Sequence, residues 1–228
     1  MTAVPIQPPM LHTSEKAFPL HQYHLHLAGR QWVVLHTGVI LTPDDEAQFF
    51  RELMTQIPYG VALWPSAIAL AFELAERGDA LKGQTLLELG AGTGLPGIVA
   101  ASLGSKVVQT DRQEMAMSVC LRNGEENHIV GIDHRLVDWV DWHDDTRYDL
   151  IVGSDILYWE PLHASLTHIF QTNLAPGGRI LLADPFRGIS LRLLEALETQ
   201  GWTIAITKWM VGDETPRAIG VFELTPPA

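Results

Sequence analysis

The chain has 228 residues, 46% hydrophobic and 18% charged, which suits one domain with a full core, with or without an N-terminal addition, and leaves no room for a second catalytic domain. A formal net charge of -12 argues against the nucleic-acid backbone as a partner, since that needs a basic stripe the sequence lacks; a basic protein or a neutral metabolite fits better. No apolar run reaches the roughly 20 residues of a membrane span, no signal-peptide pattern opens the chain, and the lone Cys120 has no internal partner, so a reducing cytoplasm is the expected compartment.

Residues 1–16 carry Pro5, Pro8 and Pro9 without any period and predict a mobile leader. Alternation then predicts a hairpin, with strands over 23–27 and 31–36 around the turn at Ala28-Gly29-Arg30, as a cover or substrate rim. His21, His24, His26 and His36 fall in this stretch, but alternation places some of them on one solvent face and no Cys or carboxylate joins them at ligand spacing, so no metal is expected. Thr42-Pro43-Asp44-Asp45 starts a helix whose apolar face runs through Phe49, Phe50, Leu53, Met54 and Ile57 and ends at Pro58.

A second helix starts at Trp64-Pro65-Ser66 and stops at Gly78. From there strands over 84–89, 106–110, 133–137, 148–153 and 178–183 alternate with helices over 95–103, 113–127, 161–173 and 188–200. Such alternation predicts a parallel sheet covered on both faces. The tail differs: 202–209 and 218–224 read as two strands joined by Gly212-Asp213-Glu214-Thr215-Pro216, an antiparallel ending.

The first strand of this series breaks into Glu88-Leu89-Gly90-Ala91-Gly92-Thr93-Gly94. Gly90, Gly92 and Gly94 permit positive φ and let the backbone approach a ligand at the start of a helix. Gly92-Thr93-Gly94-Leu95-Pro96-Gly97 also matches the dinucleotide fingerprint. Glu88 at the mouth of the loop opposes a pyrophosphate and favours S-adenosylmethionine, which has an amino group and no phosphate. Asp111, closing the next strand, suits a ribose diol under either reading.

Taken in order, Leu63-Trp64-Pro65-Ser66-Ala67, the glycine loop, Thr110-Asp111, Asn123 with Asn127, Val137-Asp138-Trp139 and Gly153-Ser154-Asp155-Ile156-Leu157-Tyr158 resemble the class I, seven-β-strand methyltransferases, specifically the group that includes protein-lysine methyltransferases. The resemblance covers about 59–224 and divides the chain into an extension, 1–58, and a methyltransferase domain, 59–228. It implies a Rossmann-like α/β fold: seven strands, mostly parallel, with the last antiparallel. It also implies an S-adenosyl-L-methionine site in which Gly90, Gly92 and Gly94 pass beneath the methionine and ribose, Asp111 holds the ribose, Asp138 and Trp139 take the adenine, and Trp64, Glu88 and Ser154 complete the donor contacts. Simpler roles exist for two of these residues. Trp64 suits a hydrophobic staple, and Trp139 suits core packing near Trp142.

Asp155 follows an apolar strand and should emerge beside the donor. In the lysine methyltransferases that this chain resembles, an acid followed three residues later by tyrosine stands here, as Asp155 and Tyr158 do. That implies an acceptor amine oriented by Asp155 against a wall of Tyr158 and Trp159. Helix capping or holding the donor's amino group is the alternative for Asp155. The Asn/Asp-Pro-Pro-aromatic signature of nucleic-acid amino-methyltransferases is absent at this point, and Asp184-Pro185-Phe186, which imitates part of it, follows the wrong strand. The expected activity is methylation of a protein lysine. A nicotinamide-type small-amine methyltransferase, a non-catalytic donor-binding module and an NAD-dependent enzyme are the other readings.

Overall fold

Alternating apolar strands and helices from Thr85 onward build one seven-stranded sheet in the computed structural model, which describes residues 9–12, 17–38, 40, 59–213 and 215–227. In chain order the elements are β1 (Met10–His12), β2 (Ala17–Pro19), β3 (His21–Leu27), β4 (Arg30–His36), α1 (Pro65–Arg77), β5 (Thr85–Leu89), α2 (Leu95–Ser102), β6 (Lys106–Asp111), α3 (Glu114–Glu126), β7 (Asp133–Leu136), β8 (Tyr148–Ser154), α4 (His163–Asn173), β9 (Leu174–Asp184), α5 (Gly188–Thr199), β10 (Thr203–Val211) and β11 (Arg217–Thr225). The sheet order is β10-β11-β9-β8-β5-β6-β7, with β11 antiparallel to both of its neighbours, as expected for the seven-strand fold. The helix expected over 42–57 lies outside the described residues.

Side-chain alternation along each strand splits the core into two layers. Leu86, Val107, Leu150, Val152, Leu181 and Val221 face α1 and α2, while Leu87, Leu89, Ile151, Ile180, Leu182 and Phe222 face α4 and α5. The order of strands reverses between β5 and β8, and that switch point leaves a crevice at their carboxyl ends.

The N-terminal segments join this body through side chains as well as apolar packing. Leu25, Leu27, Trp32 and Val34 of the β3–β4 hairpin belong to the core layer under α1 and α2. Two amides, Asn123 in α3 and Asn127 at its C-cap, pair with β4 as a neighbouring strand would. Asn127 accepts from Val33 N–H at 3.0 Å and donates to Val33 C=O at 2.7 Å, and Asn123 does the same with Leu35 at 2.6 and 3.0 Å. Residues four apart on a helix lie on one face, so two asparagines cover two alternate positions of the strand edge.

Part of the expected mobile leader is instead a strand. Met10–His12 pairs with β2, Leu11 and Leu20 pack against Val61, Ala116 and Val119, and Arg122 donates to Met10 C=O at 2.7 Å. With one buried side chain in β1, no period is available to read.

Candidate active site

Three strand ends and a loop surround one cavity at the switch point. It is bordered by Gly90 and Gly92 after β5, Asp111 closing β6, Asp138 and Trp139 after β7, Ser154 and Asp155 at the end of β8, and Trp64 from the start of α1. Tyr158 stands at its edge, 43% exposed. The structure thus brings together nine of the eleven residues predicted from sequence, leaving out Glu88 and Gly94.

Glu88 is a correction. Period two along β5 puts its side chain on the face of Leu86, under α2, not at the mouth of the loop. There the carboxyl, 1% exposed, accepts from Gly97 N–H at 3.1 Å and Gln109 Nε2 at 2.7 Å. Burial pushes it up to about 8, against those two hydrogen bonds. It braces the loop and helix. Gly94 supports the same junction, since at φ 76 it opens α2, and a Cβ there would meet Cys120 Sγ and Gln109 Nε2, both at 2.9 Å.

The loop glycines that do line the cavity are required by close approach. A Cβ on Gly92 would sit 2.9 Å from Gly60 C=O, and one on Gly90 2.9 Å from Ile156 and 3.2 Å from the Trp139 ring. Trp139 therefore lies against the loop and borders the cavity while also packing on the core layer under α4; its Nε1 is buried without a partner. Asp111 accepts from Gly92 N–H at 3.2 Å and Gln113 N–H at 2.9 Å. Burial raises its carboxyl, opposed by those N–H groups. Asp138 caps a short 3-10 turn, accepting from Val140 N–H at 3.1 Å. Trp64 precedes α1 and donates from Nε1 to Tyr59 C=O at 3.2 Å.

Asp155 is held in the left-handed region at φ 54, with its N–H donating to Ala183 C=O at 2.9 Å on β9. Its carboxylate is buried. Oδ1 takes a hydrogen bond from Arg187 Nη1 at 2.5 Å, and Oδ2 has no hydrogen-bond partner. Burial raises this carboxyl; the Arg187 charge opposes, as does the nearby Ser66 hydroxyl, although no hydrogen bond of normal geometry joins Ser66 to it. Trp159 is 46% exposed and does not border the cavity, so only Tyr158 remains of the expected wall.

Sequence reasoning missed Tyr59, Arg112 and Arg187. Arg112 directly follows Asp111, a cavity-lining acid at a strand end, which was a usable signal, and it donates to the Tyr59 hydroxyl at 3.0 Å. Burial, with Tyr59 beside it, pushes the Tyr158 phenol up to about 12. Among the described residues no three His, Cys, Asp or Glu side chains converge on a metal position. His36, buried against His21, is pushed down to about 4 by burial and by that neighbour.

The sheet order, with its one reversed strand, and a glycine loop facing three strand-end acids define a Rossmann-like methyltransferase domain. The chain belongs to the lysine methyltransferase family, whose model matches residues 43–189, well over half of its length. It is 35% identical over 137 residues to the protein N-lysine methyltransferase METTL21A of Xenopus tropicalis, covering 58% of this chain and 63% of that protein. It is 39% identical over 106 residues to the histone-arginine methyltransferase METTL23 of Xenopus laevis, covering 44% and 45%. The chain thus spans less than two thirds of these relatives' own length. Among solved structures, the ribosomal protein L11 methylase of Lactobacillus delbrueckii subsp. bulgaricus superposes with a TM-score of 0.57 at 25% identity, covering 71% of this chain and 79% of that one.

Proposed function

We propose that the protein is an S-adenosyl-L-methionine-dependent N-methyltransferase acting on a lysine side chain of another protein. The observation that carries this reading is Asp155, a buried carboxylate among the residues that border the cavity, whose Oδ2 has no hydrogen-bond partner, in a chain of the lysine methyltransferase family. A buried acceptor left unpaired costs about 1–3 kcal/mol, so its persistence at the switch point is explained by a donor that arrives with a ligand.

The cavity fits the cofactor. Three aspartates and two arginines line it, a balance unsuited to a pyrophosphate, and Arg187 is already engaged by Asp155 and Asp184. Asp111 would hold the ribose diol, Asp138 the adenine amino group with Trp139 against the ring, and Gly90 and Gly92 would leave room for the chain of the donor. Trp64 and Ser154 would flank its methionine end. When bound, the donor supplies an electrophilic methyl group on a sulfonium that leaves as a neutral thioether. The chain's own residues align the nucleophile, which is the larger part of catalysis in an in-line displacement. Asp155 Oδ2 accepts from the acceptor amine and points its lone pair, and Tyr158 restricts its approach. The amine has an ordinary pKa of about 10.4 and must be neutral to react; desolvation in the cavity favours that form. A basic segment around the target lysine fits the net charge of -12.

Incubation with methyl-labelled donor and lysate protein, followed by hydrolysis, should place the label in methyl-lysine. Label confined to small molecules would replace this reading with the small-amine one, and label in methyl-arginine would side with the METTL23 relatives.

A further inference from the structure

Arg187 stands where β9 ends, across the cavity wall from β8. Its Nη1 contacts Asp155 Oδ1 at 2.5 Å and Asp184 Oδ2 at 3.1 Å, joining two buried acids from adjacent strands. The turn that launches it is fixed on several sides. Asp184 accepts from Arg187 N–H at 2.7 Å and from Ser190 Oγ at 2.7 Å. Phe186, at φ 62, presses its ring edge-on against Phe222 with centroids 5.7 Å apart, over Gly220, where a Cβ would meet it at 2.8 Å. The guanidinium itself borders the cavity.

We propose that Arg187 is a positioning residue that sets the acceptor class: by holding one oxygen of Asp155 it leaves a single carboxylate oxygen for the acceptor, which fits the amine of a lysine and not the guanidinium of an arginine. This rests on the lysine reading above and deepens it. A guanidinium binds a carboxylate best through two parallel N–H bonds to two oxygens, and Asp155 has only Oδ2 to offer. An amine needs one. The fixed charge of Arg187 adds a second discrimination, because it favours the neutral amine over the ammonium, whereas an arginine acceptor stays charged and is repelled. Among the described residues, the groups facing the Asp155 carboxylate are Arg187, Asp184 from β9 and the Ser66 hydroxyl from α1.

The test uses two degenerate peptide pools that differ only in a fixed central lysine or arginine, with labelled donor and the full chain. The wild type should label the lysine pool and leave the arginine pool at background. In Arg187→Met the lysine-to-arginine ratio should fall by about tenfold or more, and the rising limb of the pH-rate profile should move to higher pH by about one unit, while S-adenosylhomocysteine still binds. Arg187→Lys should return the limb to its wild-type position without restoring the full rate. If the Met variant does not fold, Arg187→Gln must still move the limb. An unchanged ratio and limb in a folded neutral variant overturns the role of Arg187 alone. Labelling of the arginine pool, or of neither pool, by the wild type overturns the lysine reading itself.

Discussion

On the β5–β6 side of the cavity the chain turns on Gly90, Gly92 and Gly94, all at positive φ, whereas on the β8–β9 side the left-handed positions are Asp155 and Phe186, at φ 54 and 62. Glycine enters that region without steric cost, and a residue with a Cβ pays about 1–2 kcal/mol there. The half proposed for the donor therefore uses its backbone, and what matters is the side chain that is missing. The half proposed for the acceptor keeps strained residues for what their side chains do: Asp155 borders the cavity, and Phe186 anchors the turn that aims Arg187. One half is built for close approach and the other for a fixed charge arrangement, so substitutions in the two halves should fail in different ways.

The largest effect is expected at Asp155. Asp155→Ala removes the acceptor's hydrogen-bond partner and should lower turnover by about a hundredfold or more, since loss of alignment alone reaches that size. Loss of less than about tenfold in a folded variant would show that orientation of the amine does not depend on this residue. Next comes the donor side, where Asp111→Ala should weaken S-adenosylhomocysteine by about 1.5–3 kcal/mol, measured by calorimetry. An unchanged affinity would remove Asp111 from the ribose site.

The smallest functional effect is expected at Glu88, and it appears in stability. A carboxyl raised by burial stabilises the fold below its ordinary value of 4.5 and loses that contribution as pH rises toward its folded value of about 8. His36, lowered from 6.5 to about 4, works in the opposite direction: it destabilises the fold as pH falls through that lower range. Above 6.5 His36 no longer contributes, and comparison with Glu88→Gln separates Glu88 from Asp111 and Asp155, whose carboxyls burial also raises. From 6.5 to about 8, denaturation curves should show the wild type losing stability with rising pH and Glu88→Gln staying flatter, with donor-analogue affinity unchanged. A clear drop in that affinity would return Glu88 to the ligand site.

The fold was readable because each strand from β5 to β9 carries an apolar run and each helix an apolar face, and the tail changed pattern where β10 and β11 do. The glycine-loop half of the cavity was readable for a related reason: a strand, a glycine turn and a helix follow one another in sequence, so local spacing fixes the geometry. Glu88 was misplaced because its position in sequence next to the loop hid the strand parity that turns it toward α2 and Gly97. Arg187 was invisible for a different reason. Its contact with Asp155 spans 32 residues and exists only because β8 and β9 are neighbours. Asp184-Pro185-Phe186 follows the wrong strand for the signature it imitates, yet Arg187, the next residue, borders the cavity. Asn123 and Asn127 fit the pattern of the family, but that they pair with β4 could be learned only from the packed hairpin.

The separation of the two halves is tested most directly by titrating S-adenosylhomocysteine into Asp155→Ala and comparing the affinity with that of the wild type. If the donor is held by the β5–β6 side, the two affinities agree within about threefold, a difference of well under 1 kcal/mol, although turnover has collapsed. A loss of affinity that matches the loss of rate would place Asp155 in the donor site and contradict the account.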